Sequence, residues 1–283
     1  MKYEIEHINT FYYENFVDQS MNHIRLKPTT DECQRLSAYR SEVLPNSVMK
    51  EHVDYWGNYV ETFFIPEKHQ HLTVKTQSTV SIQKSPLIKM IHFSDEMRTI
   101  FHSDLFRSHY LAFLNETPYT FMYKEQIKEI EEVVGDSSDP IQFSLDLMAF
   151  IHQSIVYDGT VTQVNTKAYE SWPLKAGVCQ DYAHVMIAVL RDKGIPARYV
   201  SGYLYVGEGS ALIGDAATHA WVEVMIPGVG WVGLDPTNNV EALEEHIRIG
   251  SGRDYADVSP LQGVYRGGGQ NLDVKVSVTL VDQ

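Results

Sequence analysis

Cysteine is scarce in this chain: Cys33 and Cys179 are the only two among 283 residues. That count excludes a disulfide-built secreted scaffold and a structural zinc site of four cysteines. Positive charge is also low. The chain has 23 Lys and Arg against 37 Asp and Glu, a net charge of −14, and no basic block of five or more residues. This balance argues against nucleic acid as a partner. No apolar run approaches the ~20 residues of a membrane-spanning helix. The opening Met1-Lys2-Tyr3-Glu4-Ile5-Glu6 carries acids where a signal peptide has its apolar core. The expectation is a cytoplasmic protein with reduced thiols and no membrane contact. Gly267-Gly268-Gly269 is not a phosphate cradle, because no helix and no Lys-Ser/Thr follow it. What the chain has is length and apolar content, 43% hydrophobic residues, enough to bury one large core or two modest ones.

Residues 1–84 read as strands. Tyr3 to His7, Ser20 to Lys27 and the long run Leu72 to Ile82 alternate polar and apolar, the two-residue period of a half-buried strand. Gly57-Asn58 supplies turn conformations between two such runs. An antiparallel sandwich is expected. His69 and His71 form a His-x-His pair without an evident third ligand, so no metal is assigned. Cys33 follows Asp31 and Glu32, which disfavour a thiolate, and reads as a small filler residue. Residues 85–137 read as a helical connector, with helices over Ser103–Leu114 and Lys124–Val134. Residues 138–283 form the second module. It begins with a helix started by Asp139-Pro140, continues through a polar loop from Tyr157 to Ser171, and then carries strands up to a final alternating run over Asn271–Val281. Helices followed by an antiparallel sheet make an α+β layout.

The chemistry concentrates on Gly177-Val178-Cys179-Gln180-Asp181-Tyr182-Ala183-His184. Tyr182, Val185, Met186, Val189 and Leu190 recur at helical spacing, and Lys193-Gly194 with Pro196 ends the run. Cys179 therefore stands at a helix N-terminus, where unpaired N–H groups and the helix dipole favour the thiolate, the reactive form. Asp181 reads as a cap and His184 as packing or rim. Further on, Thr218-His219-Ala220-Trp221-Val222-Glu223-Val224 and Gly230-Trp231-Val232-Gly233-Leu234-Asp235 read as strands of a hairpin closed near position 227. Such a hairpin sets His219 and Asp235 roughly opposite one another. A thiol needs a base, and an imidazole needs an acid to hold its tautomer. Cys179, His219 and Asp235 satisfy that requirement in the layout of papain-like catalysis. Asp215 is the competing orienting acid.

These three stretches resemble the core motifs of the transglutaminase-like superfamily. Trp56-Gly57-Asn58-Tyr59-Val60 and Gly252-Arg253-Asp254-Tyr255-Ala256-Asp257-Val258-Ser259-Pro260 resemble its bacterial members, and residues 1–84 resemble the bacterial transglutaminase-like N-terminal domain. The resemblance implies a papain-like core of helices packed on an antiparallel sheet. It implies Cys179 as nucleophile, His219 as base and then acid, and Asp235 as orienter. The expected activity is hydrolysis of an amide or peptide bond in a protein or peptide substrate. The alternatives are transfer to an amine, or a scaffold with an idle triad. Trp172, Gln180 and Trp221 are carried as oxyanion or cleft residues, beside the backbone N–H of Cys179. Calcium-binding loops like those of the animal enzymes are absent from the sequence, and no cofactor or metal is expected.

Overall fold

The structure, a computed structural model, describes residues 1–85, 87–207, 212 and 218–282. The N-terminal strands are β1 (Lys2–Val17), β2 (Ser20–Ile24), β3 (Gln34–Leu44), β4 (Lys50–Val53), β5 (Tyr59–Ile65) and β6 (His69–Ile82). Helices α1 (Asp95–Phe101), α2 (Asp104–His109), α3 (Lys124–Val134) and α4 (Pro140–Ser154) come after them. The short β7 (Val156–Tyr157) and β8 (Ala176–Gly177) flank α5 (Ala168–Leu174), and α6 (Cys179–Asp192) comes next. The chain closes with β9 (Ala197–Leu204), β10 (His219–Ile226), β11 (Gly230–Asp235), β12 (Val240–Glu241), β13 (His246–Gly252), α7 (Tyr255–Val258), β14 (Leu261–Tyr265) and β15 (Gln270–Asp282).

The strand alternation of the first segment is realised as two antiparallel sheets, ordered β15-β1-β6-β3 and β14-β2-β5-β4. Phe11, Tyr13, Val17, Ile24, Phe63, Ile65, Leu72 and Val74 bury one cluster within this sandwich. A second cluster joins Tyr3, Ile5, Val80 and Ile82 to Tyr203, Ile247 and Ile249 of the other module. The last strands belong to the sandwich: β14 pairs with β2 and β15 with β1. Residues 261–282 thus leave the second module, although the sequence pattern assigns everything from 138 onward to it. Local alternation identifies a strand without naming its partner. The Gly57-Asn58 turn also does more than reverse the chain. Asn58 Nδ2 donates to the Ser251 carbonyl at 3.0 Å and its Oδ1 accepts from Ser251 N–H at 2.8 Å, which pins the sandwich to β13.

The connector departs from expectation in detail. Ser103 caps α2 by accepting from Phe106 N–H, so the helix expected from Ser103 runs only to His109, and a tight turn over Leu111–Phe113 comes after it. A separate helix, α1, capped by Ser94, precedes it. α3 stops where Gly135 takes φ +90°. Asp139 Oδ1 accepts from Ile141 N–H at 2.8 Å and starts α4 as expected. α5 lies partly inside the stretch expected to be loop.

α6 is buried along its length to Arg191, not on one face only. Helices α3, α4 and α5 and strands β9 and β10 all pack against it. Burying polar groups here requires partners. Arg191 has them: its guanidinium donates to the carbonyls of Ala197, Asn115 and Arg253 and to the Thr120 hydroxyl. His184 accepts from Tyr255 N–H at 3.2 Å through Nε2 and lies between the rings of Tyr119 and Tyr199. The core sheet runs β12-β11-β10-β9-β13. It holds its site at the open ends of β10 and β11, beside the start of α6.

Candidate active site

Cys179 opens α6 and is only 9% exposed, so its thiol is largely shielded from water. A reciprocal cap shapes the turn before it. Asp181 Oδ2 reaches back to accept from Val178 N–H at 2.8 Å and also from the Thr162 hydroxyl at 2.7 Å. This fold-back passes over Gly177, where a Cβ would lie 2.4 Å from Asp181 Oδ2, so only glycine fits. Burial raises the Asp181 pKa, opposed by those hydrogen bonds. Gln180 Nε2 donates to Val164 O at 2.9 Å and ties the preceding loop to the helix start. Cys179 is the first helical residue, so its backbone N–H has no intrahelical acceptor.

His219 begins β10 and Asp235 ends β11. The hairpin register is Ile226↔Gly230 through Val222↔Leu234. It turns around Gly228, with φ +77° there and +102° at Gly230. Continuing that register sets Asp235 opposite Trp221, not opposite His219 as a turn centred at 227 would have it. Moving the centre by one position shifts the pairing by two residues, which preserves the face. His219 and Asp235 therefore meet diagonally, and His219 Nε2 donates to Asp235 Oδ2 at 2.7 Å with both side chains sealed from solvent.

The electrostatics are set by this geometry. Burial by itself would lower the His219 pKa. The Asp235 carboxylate outweighs burial, the Cys179 thiol adds to it, and the ring is held up at about 10. Burial would raise the Asp235 pKa, but His219 and His246 hold it well below the usual carboxylate range. An ionised carboxylate only accepts, so His219 Nε2 carries a proton. Nδ1 of the same ring is buried and has no full hydrogen bond among the described residues. It is the atom left to act on the thiol.

The other expected residues are placed differently. Trp221 is fully buried, packed with Val200 and Ala242, and does not wall an open cleft. Its ring fits because β9 carries Gly202, where a Cβ would lie 2.4 Å from the indole. Trp172 is buried against Phe150, with the Lys175 ammonium 3.0 Å from its ring centroid. Its indole nitrogen has no hydrogen-bond partner among the described residues. Gln180 is spent on the loop. His184 is core packing: burial and the nearby Arg191 lower its pKa to about 3, so it is neutral. Asp215 lies outside the described residues. His69 is buried, with Ser20 Oγ at 3.3 Å from Nε2 and the Glu67 carbonyl at 2.8 Å from Nδ1.

Sequence reasoning missed His246, the first residue of β13. Its Nε2 lies 3.0 Å from Asp235 Oδ2, the oxygen that His219 uses. A signal was present, since His246-Ile247-Arg248-Ile249 alternates as a strand does. What the sequence lacked was the path of the intervening loop. His219, Asp235 and His246 bring their ligand-type atoms within 4.8 Å of one another, the density of a metal site. With the carboxylate ionised, each Nε2 lies within hydrogen-bond distance of it and can donate to it.

A cysteine at the start of a buried helix, with histidine and aspartate on adjoining strands of an antiparallel sheet, defines the papain-like class of α+β folds. The comparisons give the family. The transglutaminase-like superfamily matches residues 128–236, and the bacterial transglutaminase-like N-terminal region matches residues 3–81. An uncharacterized protein of Mycobacterium leprae is 32% identical over 280 residues, covering 97% of each chain. A protein-glutamine gamma-glutamyltransferase of Pseudomonas aeruginosa is 38% identical over 104 residues, 33% of this chain and 15% of that one. A crystal structure from Cytophaga hutchinsonii, solved as a candidate cysteine protease, superposes with a TM-score of 0.74 at 21% identity, over 100% of this chain and 92% of that one. The chain belongs to the transglutaminase-like superfamily, with the bacterial N-terminal domain ahead of the core.

Proposed function

We propose that the protein is a cysteine-dependent hydrolase of amide or peptide bonds that works through a thioester acyl-enzyme. The observation that carries this reading is the buried His219–Asp235 hydrogen bond beside the thiol that opens α6. His219 Nδ1 takes the thiol proton, and Sγ attacks the carbonyl carbon. The oxyanion forms beside the Cys179 N–H at the positive end of the helix. The C–N bond breaks as the imidazolium returns its proton to the leaving amine. Water then attacks the thioester with His219 accepting its proton, and the acid leaves as the thiol is restored. Asp235 keeps the proton on Nε2, so that Nδ1 is the basic atom throughout. Burial of Asp235 supports an orienting role, since a charge fixed in a dry site costs no reorganisation during the reaction.

A second reading is transfer of the acyl group to an amine. It is favoured by the matched segment of the Pseudomonas aeruginosa protein-glutamine gamma-glutamyltransferase. One experiment separates the two. A glutamine-containing peptide is incubated in ¹⁸O water with and without an alkylamine, and products and intact protein are weighed by mass spectrometry. Hydrolysis predicts one ¹⁸O in the peptide and a hydroxylamine-labile adduct on Cys179. Transfer predicts the amine-bearing peptide instead. If neither product nor an adduct forms across a panel of amide peptides, the hydrolase reading fails and a scaffold role takes its place.

A further inference from the structure

The proposed mechanism uses one imidazole on Asp235, but the structure has two. Asp235 Oδ2 faces three side-chain donors: His219 Nε2 at 2.7 Å, Asn238 Nδ2 at 2.7 Å and His246 Nε2 at 3.0 Å. Its Oδ1 accepts from the backbone N–H groups of Thr237 at 2.9 Å and Asn238 at 3.2 Å. Five donors on one buried carboxylate use all of its accepting capacity. His246 is 1% exposed and seated by packing: its ring stands edge-on to Trp221 with centroids 5.2 Å apart, and its strand pairs with β9 at Leu204.

We infer that His246 is a positioning residue of the same site, a second imidazole that holds the Asp235 carboxylate from beyond His219 and restrains the charge reaching that ring. The inference rests on the proposed thiol–imidazole reading for its effect on Cys179, though not for the state of His246 itself. The carboxylate only accepts, so His246 must present Nε2–H. Its Nδ1 is buried without a hydrogen-bond partner among the described residues. The charged groups acting on the ring are Asp235, His219 and Lys84; burial first, and then His219 and Lys84, disfavour its cation, while Asp235 favours it. The outcome is a neutral donor. Each such bond stabilises the carboxylate where it stands and draws charge density from the bond to His219. His246 thus keeps the His219 imidazolium acidic enough to return its proton to a leaving amine.

Removing the donor leaves Asp235 more strongly attracting toward His219, so the imidazolium persists to higher pH. Three full-length proteins are compared: wild type, His246→Leu and His246→Gln. Cys179 alkylation by iodoacetamide is measured against pH, with ring ¹⁵N spectra of the histidines alongside. The leucine variant is expected to raise the alkaline inflection by on the order of half to one unit, a fraction of the 1–3 units a full neighbouring charge supplies. The glutamine variant, which keeps a donor, is expected to lie near wild type. A packing role alone would disturb both variants and move neither inflection, and an unmoved or lowered inflection in the leucine variant overturns the inference. If that variant fails to fold, wild-type spectra decide: neutral His246 protonated on Nε2 at pH 7 supports the inference, and the Nδ1–H tautomer or an imidazolium refutes it. If wild-type Cys179 reacts no differently from Cys33, the hydrolase reading fails, while the same spectra still judge His246.

Discussion

Replacing Asp235 by asparagine exchanges one carboxylate oxygen for an NH₂ group, and the hydrogen bonds around it determine the effect. The carboxylate accepts from three side-chain donors at Oδ2 and two backbone donors at Oδ1. Asparagine has one accepting oxygen, and the two rigid backbone N–H groups claim it. The new amide NH₂ then occupies the Oδ2 position and can donate to two acceptors. Both imidazoles can adapt by moving their proton from Nε2 to Nδ1. The Asn238 amide, only part-buried, gives up this one acceptor. A part-buried donor costs less to displace than a sealed one, so the variant folds with a Tm close to that of the wild type. The chemistry suffers more, because His219 with its proton on Nδ1 cannot take one from Cys179. The loss in kcat is expected between about 10² and 10⁴, the span of general-base catalysis and of the same exchange in a buried triad. Ring ¹⁵N spectra give the tautomer directly, and iodoacetamide gives the thiolate without any substrate. If the variant keeps Nε2–H on His219, or alkylates at Cys179 as the wild type does at pH 6, the reasoning is refuted.

Other consequences are as specific. Burial leads in lowering the pKa values of His7 to about 4, His184 to about 3 and His246 below its ordinary value. The unfolded chain then binds protons below about pH 6.5 that the folded one refuses, so stability falls on acidification from 6.5 toward 4, by up to about 1.4 kcal/mol per pH unit for each group. Urea titrations at stepped pH measure that slope, and a flat profile there would contradict the burial account. His219 has the opposite sign: raised to about 10, its contribution is complete below pH 6.5 and is lost as pH rises toward 10, a loss that Asp235→Asn should remove. Gly202→Ala places a Cβ 2.3 Å from the Ile247 carbonyl and 2.4 Å from the Trp221 ring, opposite His219 in the sheet. It should destabilise by about 1–3 kcal/mol, as overpacking does, and slow Cys179 alkylation; a wild-type melting curve would show that the sheet yields there.

The meeting of His219 with Asp235 and the place of Cys179 at a helix start were legible because each residue sits in a local pattern. Cys179 lies just past a glycine and starts a periodic helix, and His219 and Asp235 lie on alternating strands around Pro227-Gly228-Val229-Gly230. The two-residue error in their pairing left the contact intact because faces repeat every two residues. Elements that depend on distant partners were not legible. β15 alternates plainly, yet nothing in it says that it returns to β1. His246 meets Asp235 although β13 stands three places from β11 in the sheet order, a contact that no local pattern announces. Trp221 looked like a cleft wall by its face alone, and only Gly202 on the next strand shows that the ring is buried there.

The central claim is that Cys179 and His219 work as a pair. The most direct measurement is the iodoacetamide alkylation rate of Cys179 from pH 5 to 9, read by peptide mass spectrometry with exposed Cys33 as internal control. A His219→Ala variant is run beside the wild type. The account predicts that Cys179 outpaces Cys33 at the acidic end despite its burial, and that the advantage disappears without His219. A Cys179 that stays inert throughout, or one whose rate does not depend on His219, would contradict it.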